Sequence, residues 1–192
     1  VNVENGPDGE HDGPAADAAR VLHNPTQESH KRIGNMQIAI QPAGADESDE
    51  IAPLVGELLG EIMAAIGEQA FIFSLGEATV LLRELLDQGK YLVLVARTEA
   101  GQIAGFVSMY ESFALYAQGA FGTIAEFYVR PEFRSQGIGQ RLAERAKEFG
   151  RTRGWRRLEV TTPPLPHFGR TVGFYERGGF SVTGGRKLKF LL

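Results

Sequence analysis

The sequence predicts an α/β domain, a mixed sheet of about seven strands flanked by about four helices. Three observations lead there. β-Rich runs and apolar patterns at helical spacing follow one another as strand, two helices, three strands, helix, strand, helix and two strands. Thr123 to Val129 and Arg157 to Thr162, both strand-like, are joined by a helical pattern, so they must form a parallel strand-helix-strand unit. Between them lies a glycine-rich turn, Arg134 to Gly139, set directly ahead of that helix.

Residues 1–35 are poor in large apolar side chains and crowded with Gly, Pro, Asp, Asn and His. They cannot offset their own ordering entropy by burial and are expected to be a disordered leader, with one domain over 36–192. The patterned sequence starts abruptly at Met36, which is read as the natural start of the protein. Met36 to Gln41 alternates apolar and polar residues as a short strand ended by Pro42. Ile51, Leu54, Val55, Leu58, Leu59, Ile62 and Ile66 then form an apolar helical stripe, with Asp46, Glu47, Asp49 and Glu50 at its N-terminal end and Gly67 at its stop. A second helix is predicted from about Leu75 to Gln88, with Gly89 as its punctuation, whereas Gln69 to Ser74 is ambiguous.

Tyr91 to Arg97 and Gln102 to Tyr110 read as a hairpin around Glu99-Ala-Gly101, and Glu111 to Gly122 reads as an aromatic-rich loop. Thr123 to Val129 is the next strand, and Pro131 removes a backbone donor where it must stop. Ile138, Leu142, Ala146 and Phe149 mark a helix whose other face carries Arg141, Arg145, Lys147 and Arg151, ended by Gly154. After the strand Arg157 to Thr162, a short helix spans about Phe168 to Arg177. A final hairpin is expected from Phe180 to Thr183 and Arg186 to Leu192, turning at Gly184-Gly185.

Composition narrows the function classes. The 192 residues contain no cysteine, which removes disulfides, thiolate metal sites and a cysteine nucleophile. A formal net charge of −4 argues against a dedicated nucleic-acid binder, yet nine Lys or Arg against three Glu between Arg130 and Arg157 make a local anion-binding surface. No apolar run approaches the roughly 20 residues needed to span a bilayer, and no signal-peptide layout is present. A soluble, cytoplasmic protein without a membrane or nucleic-acid partner is expected.

The stretch Glu126-Phe-Tyr-Val-Arg-Pro-Glu-Phe-Arg-Ser-Gln-Gly-Ile-Gly-Gln140 compresses strand, strand stop, turn and helix start into one unit. Backbone amides there can face an anion without side chains in the way, aided by the positive helix end. A P-loop needs Gly-Lys-Ser/Thr, which is absent, and a dinucleotide fingerprint needs a third glycine where position 142 is leucine. The pattern present is Arg-x-x-Gly-x-Gly after a strand ending Val-x-Pro, followed downstream by Gly173-Phe-Tyr-Glu-Arg-Gly-Gly-Phe180. In these motifs and in the order of its elements, Met36 to Leu192 resembles the GCN5-related N-acetyltransferase superfamily.

The resemblance implies acetyl-CoA as co-substrate, a primary amine as acceptor and no metal. The amides of Arg134, Ser135, Gln136, Gly137, Ile138, Gly139 and Gln140 would cradle the pyrophosphate. The pantetheine arm would lie along Phe127, Tyr128 and Val129, on an edge opened where the two parallel strands splay apart. Tyr175 would be the general acid for the departing thiolate, a phenol suiting that role because it stays protonated at neutral pH. Glu126 would be the base, although strand alternation does not by itself turn it to the cleft. Glu111, Tyr110, Tyr116 and His167 are alternative bases or acceptor contacts. Arg141 and Arg145 would add charge near the phosphates or stand on a solvated face.

Many relatives carry an asparagine seven residues before the tyrosine, where this chain has Phe168. Donor contacts there must differ, or His167 or Arg170 substitutes. A non-catalytic CoA-binding or regulatory domain is therefore the alternative, while the missing lysine speaks against a nucleotide-binding module. Phe71, Phe73, Phe113 and Tyr116 are either an aromatic acceptor cleft or core. The last strand or hairpin edge offers a place for homodimerisation.

Overall fold

The computed structural model describes residues 37–183 and 188–190. The expected leader, the Met36 start and the Gly184-Gly185 turn lie outside the described residues. The elements run β1 (Ile38–Pro42), α1 (Ser48–Ile66), α2 (Leu75–Asp87), β2 (Leu92–Thr98), β3 (Ile103–Ala114), β4 (Gly119–Val129), α3 (Ile138–Thr152), β5 (Leu158–Val160) and α4 (Gly169–Arg177). Each α-helix and each of these strands falls within a few residues of its expected place.

The strands lie in the spatial order β1-β2-β3-β4-β5. The first three pairings are antiparallel and β4 with β5 is parallel, so the sheet is mixed and the strand-helix-strand unit straddles the glycine-rich turn as its residues require. Strand alternation divides the interior in two. Leu94, Ala96, Val107, Met109 and Ile124 pack with Ile138, Leu142 and Ala146 of α3 and Tyr175 of α4. Val93, Val95, Phe106 and Tyr128 pack on the other face with Ile51 and Leu54 of α1 and Leu82 of α2. Full burial of a side chain such as Leu142, which is 0% exposed, stabilises the fold by about 1.5–3 kcal/mol, so these two faces hold the helices in place.

Two expectations are corrected. Glu111 to Gly122 is not simply a loop: β3 continues to Ala114 and β4 starts at Gly119, with Glu111 opposite Gly122 and Ser112 opposite Phe121. The Ser112 and Thr123 hydroxyls bond across this extension at 2.8 Å. Cross-strand pairing supplies backbone partners here that no local periodicity announces. The described residues also hold five strands rather than about seven, because Phe180 to Thr183 and Leu188 to Phe190 carry no ladder. Val182, Leu188 and Phe190 are largely exposed, so these apolar residues gain no sheet face to bury against. Among the described residues, no helix is long and apolar enough to cross a membrane.

Candidate active site

Two irregularities of β4 make the site. From Val107 to Met109 the partner strand advances by two residues, while β4 moves from Phe127 back to Ile124, by three. The extra residue is a bulge at Ala125-Glu126, and it reverses the alternation. Ile124 therefore packs on the α3 side and Tyr128 on the α1 side, although two-residue periodicity would put them on one face. The bulge also turns Glu126 into the cavity beneath α1 and α2.

The second irregularity is a splay. β5 pairs only with Gly122, Thr123 and Ile124, so among the described residues no strand lies beside 125–129 of β4 on that side. The Arg130 amide donates to the Ala104 carbonyl at 2.9 Å, which places the Tyr128 amide on the β3 side as well. By alternation, the amides of Phe127 and Val129 face the open edge. The strand contacts implied by the resemblance thus narrow at Tyr128, whose amide is turned inward to β3.

The open edge leads into the turn. Ser135 (φ 61°) and Gly137 (φ 78°) both adopt left-handed conformations, and Gly137 is the N-cap of α3. Six successive amides, Ser135 to Gln140, have no acceptor among the described residues. Unpaired amides gathered at the start of a 15-residue helix form an anion cradle. A Cβ on Gly137 would meet nothing within 4 Å, so the space beside the turn is open. Ile138 is buried in the core and anchors the helix start.

Arg134 serves this geometry differently from a phosphate ligand. Its Nε donates to the Val129 carbonyl at 2.8 Å, and its two Nη atoms donate to Glu61 of α1 at 2.9 and 2.6 Å. Its guanidinium also sits 5.5 Å from the Tyr128 ring centre. Arg130 makes a parallel tie to Glu57, one helical turn earlier, at 2.8 and 3.1 Å. These two pairs fasten α1 to the strand end and the turn. Gln136 Nε2 donates to the Glu132 carbonyl at 3.1 Å. Arg141 reaches the Ile38 carbonyl at 2.6 Å and Arg145 pairs with Glu148, so both have partners away from the turn.

Glu126 is held at three points. Its Oε2 accepts from the Tyr91 hydroxyl at 3.1 Å and from the Ser108 hydroxyl, and its amide donates to Ser108 Oγ at 3.0 Å. Burial, and then the neighbouring Glu126 charge, pushes the Tyr91 phenol well above its ordinary value, so Tyr91 is a neutral donor to a carboxylate. Tyr91 also stacks on Tyr110, with ring centres 6.0 Å apart. Neither Tyr91 nor Ser108 stands out locally in the sequence. A lone serine inside the apolar run of β3 was the one available signal.

Tyr175 lies on the opposite face of the sheet. It is 7% exposed and meets Phe127, Phe174 and Phe180 edge to face, with centres 6.1, 5.2 and 5.2 Å apart. Burial alone raises its phenol above the ordinary value. It lines a cavity of about 170 Å³ between α3 and α4 together with Gln140, Ala143 and Glu144. The α3 face of that cavity begins at the amide cradle.

The other sequence-level choices are dispersed. Glu111 accepts from Trp155 Nε1 at 2.6 Å, Tyr116 lies under the Arg157 guanidinium, and His167 is exposed. Phe168 is the N-cap of α4. Phe73 covers Gly56 of α1, while Phe113 is exposed at the far end of β3. Of the four aromatic residues read as one cleft or as core, Phe71 and Phe73 thus share the connection between α1 and α2, while Phe113 is on β3 and Tyr116 in the turn after it. Among the described residues, no group of three His, Asp or Glu is placed to hold a metal ion.

The fold and site thus define a mixed-sheet domain in which an open strand edge leads into a helix N-terminus. Residues 89–182 match the family model of the acetyltransferase (GNAT) domain, and this stretch of the chain belongs to the GNAT superfamily. It is 36% identical over 77 residues to an uncharacterized N-acetyltransferase of Archaeoglobus fulgidus, a match covering 40% of this chain and 52% of that protein. The chain thus spans about half the length of this relative. Among solved structures, it is similar to an aminoglycoside acetyltransferase from an uncultured soil metagenomic sample in complex with sisomicin (TM-score 0.65, 18% identity, 81% of this chain and 96% of that one). It is equally similar to a predicted acetyltransferase with acetyl-CoA from Clostridium acetobutylicum (TM-score 0.65, 19% identity, 80% and 96%). At such identities the likeness is one of fold.

Proposed function

We propose that the protein transfers the acetyl group of acetyl-CoA to a primary amine, with Glu126 receiving the proton of the amine and Tyr175 supplying one to sulfur. The observation that carries this reading is the departure of β5 from β4 after Ile124, beside six unpartnered amides. An extended thioester arm can add to the exposed edge as a strand would, while its pyrophosphate takes the amides at the start of α3. Family membership supports the same donor.

The amine nitrogen, once its ammonium proton has passed to Glu126 directly or through water, attacks the thioester carbonyl. The carbon–sulfur bond then breaks, the attacking nitrogen gives up its second proton to solvent and the thiolate takes one from Tyr175, leaving a neutral N-acetyl amide and free CoA. The Phe127 and Val129 amides are the edge donors able to stabilise the oxyanion. Glu126 and Tyr175 approach from opposite faces of the sheet, and the gap left by β5 is where a thioester can meet both. Tyr175 returns to its neutral form by recovering the proton from solvent.

The test is thiol release. Acetyl-CoA should raise the melting temperature, since it binds only the folded chain, and CoA thiol should appear with an amine panel. Stabilisation without thiol release across that panel would favour a CoA-binding regulatory domain. No stabilisation by acetyl-CoA or CoA at saturation would remove both readings.

A further inference from the structure

The cavity beneath α1 and α2 has a composition that selects among amines. It holds about 120 Å³ and is walled by Ile51 and Val55 of α1, Ala78, Leu81 and Leu85 of α2, and Phe106 of β3. Its polar groups are gathered at one end, where Tyr91, Ser108 and Glu126 form a single hydrogen-bonded unit. Glu126 Oε2 already accepts from both hydroxyls, whereas its Oε1 has no partner among the described residues.

Carboxylates of α1 and its N-cap are already matched. Glu57 is paired with Arg130 and Glu61 with Arg134, and Glu47 and Glu50 share Arg97. Glu77 and Glu84 of α2 stand exposed and do not line the cavity, so one cation at Glu126 is complemented, and a second cation held among the apolar walls would be desolvated without a counter-charge.

We propose that the acceptor is a small primary amine with one positive charge on an apolar alkyl or aryl body, its ammonium at Glu126 and its hydrocarbon between α1 and α2. This rests on the acetyl-transfer reading and names the substrate class for the same site. The chemistry also favours release. Acetylation converts the ammonium into a neutral amide, and one proton leaves with the base, so the product no longer carries the charge that held the acceptor at Glu126.

The experiment measures CoA thiol release from acetyl-CoA with four acceptors: 2-phenylethylamine, n-hexylamine, spermidine and sisomicin. The two apolar monoamines should show kcat/KM at least about 10-fold above either polycation. In Ala78→Phe, a ring placed in the cavity from half-exposed α2 should raise the KM for 2-phenylethylamine about 10-fold or more while the KM for acetyl-CoA stays as in the wild type. Preference for spermidine or sisomicin would overturn the proposal and leave acetyl transfer standing. An unchanged amine KM in a folded Ala78→Phe protein would overturn the cavity as the acceptor site. Absence of thiol release with all four acceptors and with amino-acid and peptide amines would overturn the activity itself and this inference with it.

Discussion

The Ser108 hydroxyl accepts from the Glu126 amide at 3.0 Å and donates to the Glu126 carboxylate, so one side chain sets both the backbone and the head group of the same residue. It does so at the bulge, where the regular β3–β4 ladder lapses. Ser108 is 1% exposed, and water cannot easily replace it. Ser108→Ala should therefore lower stability by about 1–3 kcal/mol, the usual effect of leaving a buried donor unsatisfied. Urea unfolding measures this, and a loss below a few tenths of a kcal/mol would mean the bulge is held by something else.

Glu126→Gln keeps the shape of the side chain and an oxygen for Tyr91 and Ser108, but removes the capacity to take a proton. Turnover should fall about 100-fold, within the range typical of a lost general base, while the KM for acetyl-CoA stays near that of the wild type. Steady-state kinetics decides it: a change in kcat under threefold would assign the proton to a water chain instead.

Tyr175→Phe removes a hydroxyl from an aromatic cluster that survives the change. Thiol release should drop at least 10-fold with little effect on acetyl-CoA affinity or on folding at pH 7. The mutation also has a pH signature. Because burial raises the folded phenol above the unfolded value of about 10, its contribution to stability is complete below that pH and is lost as pH climbs toward the folded value. Urea midpoints measured from pH 8 to 11 should fall more steeply in the wild type than in Tyr175→Phe; parallel curves would show that the phenol is not shielded.

Gly137 and Gly154 have similar left-handed backbones, φ 78° and 71°, at opposite ends of α3. Alanine at either position should destabilise the fold by about 1–2 kcal/mol through the same steric strain. Only Gly137→Ala should also weaken acetyl-CoA binding, by roughly 10-fold, because it alone disturbs the amide cradle. Calorimetric titration of both variants separates the two effects, and equal donor affinity in both would detach the cradle from the donor.

The legible parts of this protein are those in which a few neighbouring residues decide the outcome. Pro131 ends a strand by lacking a donor, Gly137 permits a left-handed cap, and Ile138, Leu142 and Ala146 present one helical face. The turn that gathers unpaired amides could be placed for the same reason, since strand stop, turn and helix start are contiguous from Glu126 to Gln140. The continuation of β3 to Ala114 could not, because Glu111 to Ala114 form a strand only through pairing with residues 119–122.

The geometry of the candidate site divides in the same way. Tyr175 and Glu126 were identifiable as residue types at motif positions, but their surroundings depend on contacts distant in the chain. Alternation along β4 left the direction of Glu126 open, and the bulge against β3 decided it. Tyr91 and Ser108, 35 and 18 positions away in sequence, hold its carboxylate. Arg134, with the residue type of a phosphate ligand, is instead drawn to Glu61, 73 positions back. Sequence by itself determined the order of elements, the faces of the helices and the turn that gathers amides, since these follow from local sterics and periodicity. Only the tertiary structure decided which face Glu126 presents, which partners hold it and where β5 leaves β4, because strand register, bulges and ion pairs between elements exist only once distant segments pack.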